Sequence, residues 1–223
     1  MSGLAFPPLY AIVDPLDTGR DPVALARALL AGGARLLQLR LKDVPTRTLL
    51  SVASAIRTAT REAGALFVVN DRPDVARLVG ADGVHLGPDD VPVHVARLLL
   101  PPPALIGVST HDDVELAAAL AAGPDYVAVG PIAATTSKAD ARTARGLAVI
   151  AEARRRTRLP VVAIGGLTPE TAVAAVQAGA HSVALIGALV RAPDVAAATR
   201  ALIDALARAQ GSRPPAGSSG TIS

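Results

Sequence analysis

Along this chain, short apolar runs alternate with longer stretches in which apolar residues recur at helical spacing. The runs lie at 9–13, 36–40, 66–70, 83–86, 105–109, 126–130, 161–164 and 182–186, and most are continuously apolar rather than alternating. Runs of that kind suit strands covered on both faces, as in a parallel sheet. The segments near 22–31, 45–63, 73–79, 93–100, 112–121, 143–157, 169–177 and 193–209 read as helices. Pro22, Pro73, Pro169 and Pro193 each stand near a helix start, where a missing N–H costs nothing. Strand and helix in regular succession predict βα units.

A weak internal repeat sharpens the picture. AGGARLLQLR (31–40), VGADGVHLG (79–87), AAGPDYVAVG (122–130) and QAGAHSVALIG (177–187) share a helix-ending glycine, a small residue and a strand. Gly33, Gly80, Gly123 and Gly179 are spaced by 47, 43 and 56 residues, each about two βα units of barrel size. Eight strands then predict a single-domain (β/α)8 TIM barrel over residues 1–209. The competing open, doubly wound sheet lacks its dinucleotide fingerprint here. The segment 210–223 (QGSRPPAGSSGTIS) has no core-forming pattern and reads as a disordered tail.

Composition narrows the classes. Of the 223 residues, 51% are hydrophobic and only 2% aromatic, so the core is expected to consist of Ala, Val, Leu and Ile. The absence of cysteine excludes a disulfide scaffold, a thiolate zinc site and a cysteine nucleophile. Mean hydropathy is +0.41, yet the most apolar stretch, 171–190, carries Gln177, Gly179, His181, Ser182 and Gly187 and reads as helix, turn and strand rather than a membrane span. The N-terminus has no basic, signal-like start, which predicts a cytoplasmic protein without a membrane partner. Lys plus Arg number 22 against 19 Asp plus Glu. The cations form no stripe interleaved with aromatics, so no nucleic-acid partner is expected. Arg154, Arg155 and Arg156 fit a solvated helix end, where cations complement the helix dipole.

In such a barrel, chemistry gathers at the C-terminal strand ends. Those ends carry Asp14; Gln38, Arg40 and Lys42; Asn70 and Asp71; His85, Asp89 and Asp90; Ser109, Thr110 and His111; the 131–142 loop; Gly165 and Gly166; and Gly187. Phosphate-binding groups and paired carboxylates predict phosphorylated small-molecule ligands and Mg²⁺, which prefers one or two carboxylates plus phosphate oxygens. VVAIGGLTPE (161–170) and ALIGALV (184–190) place glycines after strands 7 and 8, where barrels commonly bind phosphate. Asn70 and Asp71 fit either a metal site or a helix-capping turn, with Asp74 then available as the cap. His85 fits either a core residue or a site residue. The segment 130–146, with Thr135, Thr136, Ser137, Lys138, Arg142 and Arg145, fits either a phosphate-covering lid or a solvated insertion.

The succession LQLRLK (37–42), VVNDRPDVA (68–76), GADGVHLGPDD (80–90), IGVSTH (106–111), DYVAVGPIAATTSK (125–138) and VVAIGGLTPE (161–170) resembles the thiamine phosphate synthase family from about residue 10 to 189. The resemblance implies a Mg²⁺-dependent transferase joining hydroxymethylpyrimidine diphosphate to hydroxyethylthiazole phosphate with release of pyrophosphate. It implies that Gln38, Arg40, Lys42 and Asn70 line the pyrimidine diphosphate site, with Asp71 and Asp90 as metal carboxylates. Ser109 and Lys138 would hold the diphosphate and act with Arg40 in catalysis. Thr135, Ser137, Gly166, Ile186 and Gly187 would contact the thiazole phosphate. A homo-oligomer, as a dimer, is also implied. The alternatives are a thiazole tautomerase, a sister family with a similar barrel, and a noncatalytic barrel binding a phosphorylated ligand. Arg40, Lys42, Asp71, Asp90 and Lys138 favour the synthase.

Overall fold

The computed structural model describes residues 6–15, 18–134 and 143–211. Eight parallel strands close into a barrel in chain order: β1 (Leu9–Val13), β2 (Leu36–Leu39), β3 (Leu66–Asn70), β4 (Gly83–Leu86), β5 (Leu105–Thr110), β6 (Tyr126–Val129), β7 (Val161–Ile164) and β8 (Ser182–Leu185). Each strand lies within one residue of its expected place. Outside them run α1 (Pro22–Ala31), α2 (Thr46–Glu62), α3 (Pro73–Val79), α4 (Val93–Leu99), α5 (Asp113–Ala122), α6 (Ala148–Arg156), α7 (Pro169–Gln177), α8 (Gly187–Val190) and α9 (Val195–Gly211). The expected (β/α)8 barrel is therefore the fold.

Three features of the helices differ from expectation by more than one residue. The single turn of α8 is too short to leave a helical period in the sequence. Helix α6 starts at Ala148 rather than near 143, because the chain first pairs Arg145 N–H with Pro131 O (2.8 Å) and Gly146 N–H with Ile132 O (3.0 Å). Helix α9 continues through Gln210 and Gly211; the rest of the expected tail, 212–223, lies outside the described residues.

Local chemistry explains the starts of several helices. Asp21 accepts the Ala24 N–H (2.7 Å) ahead of Pro22, and Asp112 accepts the Glu115 N–H (2.7 Å). Thr168 and Thr171 form a reciprocal capping box at α7. At α3 the expected cap is wrong. Arg72 occupies the cap position without a side-chain bond, and Asp74, inside the first turn, pairs with the Arg72 guanidinium at 2.6 and 2.8 Å.

The repeat glycines mark a structural device. Two residues after Gly80, Gly123 and Gly179 come Asp82, Asp125 and His181, each just before an even-numbered strand. Asp82 gives its N–H to Phe67 O (2.8 Å) and takes the Phe67 N–H on its carboxylate (2.8 Å). Asp125 does the same with Ile106 (2.7 and 2.7 Å), and His181 with Val161 through Nδ1 (2.9 and 2.9 Å). An arginine from the preceding even helix closes each latch: Arg57 of α2 bidentate on Asp82 (2.6 and 3.0 Å), Arg97 of α4 on Asp125 (2.5 Å), and Arg154 of α6 beside His181 Nε2 (3.0 Å). Arg154 is thus half-buried in a latch rather than part of a solvated run. In the first copy, Arg35 holds the corresponding place and bonds the Ala34 carbonyl (2.9 Å).

The layer between strands and helices is built from Ala, Val, Leu and Ile as expected. The barrel interior departs from that composition. Three of the chain's four Phe and Tyr residues meet there, with ring centroids 5.1 Å apart for Phe6 and Tyr126, 6.0 Å for Tyr10 and Tyr126, and 6.4 Å for Phe6 and Tyr10. A low aromatic total hides a concentrated use, because ring volume is needed only where eight strands converge on one axis. Among the described residues, no helix is long and apolar enough to cross a membrane.

Candidate active site

The strand ends open into a cavity of about 590 Å³. Of the residues singled out from sequence, Gln38, Arg40, Lys42, Asn70, Asp71, Asp90, Ser109, Gly166, Ile186 and Gly187 all line it. Thr135, Ser137 and Lys138, with Thr136 and Arg142, lie outside the described residues. Arg145 is described, and it does not join the others: its Nη2 pairs with Asp113 Oδ1 (2.8 Å) at the start of α5.

One wall carries charge. Arg40, directly after β2, bonds Asp14, directly after β1, in a pair largely screened from solvent. Lys42 Nζ lies 3.3 Å from Asp71 Oδ2. Asp71 has φ +63°, a left-handed conformation uncommon outside glycine, and its N–H donates to His85 O (2.8 Å). Such backbone cost persists where the surroundings enforce it, often at functional sites.

Asp90 is delivered by a tight turn. Its N–H reaches Gly87 O (3.3 Å), and its Oδ2 accepts the Gly87 N–H (2.6 Å). Pro88 sits between them at the position where its fixed φ favours a turn. Burial pushes the Asp90 carboxyl up to about 6; its hydrogen bond with Asp71 and that residue's charge push the same way, against the Gly87 N–H and Lys42. Two carboxylates this close repel, and a cation between them relieves the repulsion.

The opposite wall is backbone. Gly165 and Gly166 have φ +93° and +67°, and a Cβ on Gly166 would come within 2.5 Å of the Ala133 and Ala134 carbonyl oxygens. Only glycines let the segment after β6 lie so close to the end of β7, where Ile132 N–H bonds Ile164 O (3.0 Å) and Ala133 N–H bonds Gly165 O (3.0 Å). Gly187 opens α8, with Ile186 before it, on the same wall.

Beneath both walls runs a polar chain. Gln38 Nε2 donates to Tyr10 Oη (2.8 Å), Tyr10 Oη lies 2.9 Å from Tyr126 Oη, Tyr126 Oη lies 3.0 Å from His85 Nδ1, and His85 Nε2 lies 2.8 Å from Ser109 Oγ. Sequence reasoning left His85 open and passed over both tyrosines. A signal was available: they are the only tyrosines of the chain, each on a predicted strand in register with cavity positions, Tyr10 with Ile12 and Tyr126 with Gly130.

The family model described as "Thiamine monophosphate synthase" matches residues 9–189. The chain belongs to the thiamine monophosphate synthase family. It is 50% identical over 203 residues to a thiamine-phosphate synthase of Methanoculleus marisnigri, covering 91% of this chain and 96% of that one. A thiamine-phosphate synthase of Moorella thermoacetica is 45% identical over 204 residues, 91% of this chain and 97% of its own. Among solved structures, a thiamine phosphate pyrophosphorylase from Pyrococcus furiosus superposes with TM-score 0.82 at 36% identity, covering 90% of this chain and 96% of that one. Family membership accords with a cavity that has one charged wall and one glycine wall.

Proposed function

We propose that the chain joins hydroxymethylpyrimidine diphosphate to hydroxyethylthiazole phosphate, giving thiamine phosphate and pyrophosphate. The observation that carries this reading is one cavity with two differently built walls, each suited to one phosphorylated partner. On the charged wall, Gln38 and Asn70 would hold the aminopyrimidine, while Arg40, Lys42 and Ser109 face the diphosphate. On the glycine wall, the backbone at Gly166, Ile186 and Gly187 would bind the thiazole phosphate, the usual place for phosphate in this fold. Lys138, Thr135 and Ser137 are assigned to the diphosphate and thiazole phosphate by family resemblance.

The chemistry asks for charge stabilisation more than for a nucleophile. The C–O bond to the diphosphate breaks with its electron pair leaving on pyrophosphate, and the methylene cation is stabilised by the aminopyrimidine ring. The thiazole nitrogen then forms the new C–N bond. Arg40 and Lys42 would neutralise charge growing on the leaving oxygens, Arg40 from a position largely screened from solvent, where such contacts are stronger. Asp71 and Asp90 fit Mg²⁺, because burial and the neighbouring Asp71 charge already disfavour an ionised Asp90, and a cation relieves that repulsion. When bound, Mg²⁺ would supply additional positive charge at the leaving diphosphate.

Incubation of the chain with both substrates and Mg²⁺ is expected to yield thiamine phosphate, detected by chromatography, with loss of product on chelation. Asp71→Asn should lower turnover on the order of 100-fold while leaving thiazole phosphate affinity unchanged by calorimetry. Absence of product from the wild-type chain at every Mg²⁺ concentration overturns the reading; normal turnover of the variant overturns the metal assignment.

A further inference from the structure

The chain from Gln38 to Ser109 begins and ends in the cavity but passes through two phenols that do not line it. Five side chains from five strands contribute, and all five are buried. A buried polar group is retained when its partners satisfy it, so a linked series of this kind holds its members in one geometry.

Of the two directions open to it, only one gives both phenol protons an acceptor within the series. Each phenol has one O–H, and burial pushes both phenols well above the usual tyrosine value, so both keep it. In the direction that does so, the Gln38 amide N–H donates to Tyr10, the Tyr10 proton goes to Tyr126 and the Tyr126 proton to His85 Nδ1. The ring proton then stands on Nε2 and is given to Ser109 Oγ. In that direction Ser109 receives one hydrogen bond from below, and its own O–H is left for the cavity that it lines.

The fold makes space for this arrangement. His85, Gly107 and Tyr126 are register partners on β4, β5 and β6, and a Cβ on Gly107 would sit 1.9 Å from Tyr126 Cζ. The missing side chain on β5 lets the rings of its two neighbours stack, with centroids 5.6 Å apart and planes 23° from parallel.

We propose that Tyr10, Tyr126 and His85 are positioning residues, forming a one-way hydrogen-bond relay that turns the Ser109 hydroxyl into a donor toward an anionic ligand oxygen and couples it to the hydrogen bonding of Gln38 across the mouth. In its turnover arm this rests on the proposed function, with Ser109 facing the leaving diphosphate. Reversal of the series would make Ser109 an acceptor, which is unfavourable against an anion. The relay therefore selects between two proton arrangements of the same heavy atoms.

The test uses the full chain and two variants, Tyr126→Phe and Tyr10→Phe, each keeping its ring while removing one link. Nitrogen-15 NMR of the histidines is expected to show His85 as the Nε2–H tautomer in the wild type and to lose that preference in Tyr126→Phe. In steady-state assays, each variant should lower kcat about tenfold with KM within about twofold. Combined with Ser109→Ala, each should cost no more than Ser109→Ala alone, because the relay acts only through that hydroxyl. A residue with a merely structural role would instead add its effect. An Nδ1–H tautomer in the wild type, unchanged kcat in both variants, or additive losses each overturn the relay. A wild-type chain that makes no product overturns the functional reading instead, and the tautomer measurement still decides the direction of the relay.

Discussion

Gly107 illustrates how much one absent side chain can decide. It lies between His85 and Tyr126 in the strand register, and its hydrogen is all that separates the β5 backbone from the Tyr126 ring. Gly107→Ala must displace a ring that is completely buried, so it is expected to cost about 3 kcal/mol, read as a lower midpoint in urea denaturation. Ring displacement should also widen the gap between Tyr126 and His85 and lower turnover further than the stability loss alone explains. Charged and polar site residues such as Arg40, Asp71 and Ser109 were legible in the sequence because each ends an apolar run. Tyr10 and Tyr126 were not legible as a pair: they are 116 positions apart, and nothing local connects them. Arg145 was misplaced for a related reason, since its partner Asp113 belongs to another element 32 positions away.

Elements were read more surely than contacts. Continuous apolarity located all eight strands, and the four repeat glycines located the turns that enter the even-numbered ones. The turn of α8 and the late start of α6 escaped because both depend on tertiary pairing rather than periodicity. Each latch is an element-level feature of the same kind. The repeat exposed its position, but its chemistry appears only when Asp82 meets Phe67 and Arg57 in space. Asp82→Ala leaves the Phe67 N–H and the Arg57 guanidinium without their shared acceptor at a half-buried site. A loss of about 2 kcal/mol is expected, measured by urea denaturation, with kcat unchanged because the latch lies at the strand starts, away from the cavity.

At the scale of the whole barrel, stability and chemistry occupy opposite ends. The latches bind the strand starts together; the strand ends carry Lys42, Asp71, Asp90 and the glycine wall. The barrel interior joins the two zones through the tyrosines, which pack on Phe6 beneath and reach Gln38 and, through His85, Ser109 above. Loops at the mouth can therefore carry residues chosen for charge, such as Asp71 at positive φ, without weakening the end that holds the strands.

Latches join β3 to β4, β5 to β6 and β7 to β8, and none crosses from an even strand to the next odd one. The latches thus group the strands in pairs, with seams in this side-chain bracing after the even strands, where backbone bonds such as Leu105 N–H to Asp82 O (2.8 Å) still cross. Circular permutation should detect the seams. With the original ends joined by a flexible linker, new termini at the seam between β4 and α4 leave every latch within continuous chain. New termini between α3 and β4 instead put Asp82 at the opposite end of the chain from Phe67 and Arg57. The first permutant is expected to melt close to the native chain and the second well below it; equal melting temperatures would mean that the seams have no mechanical meaning.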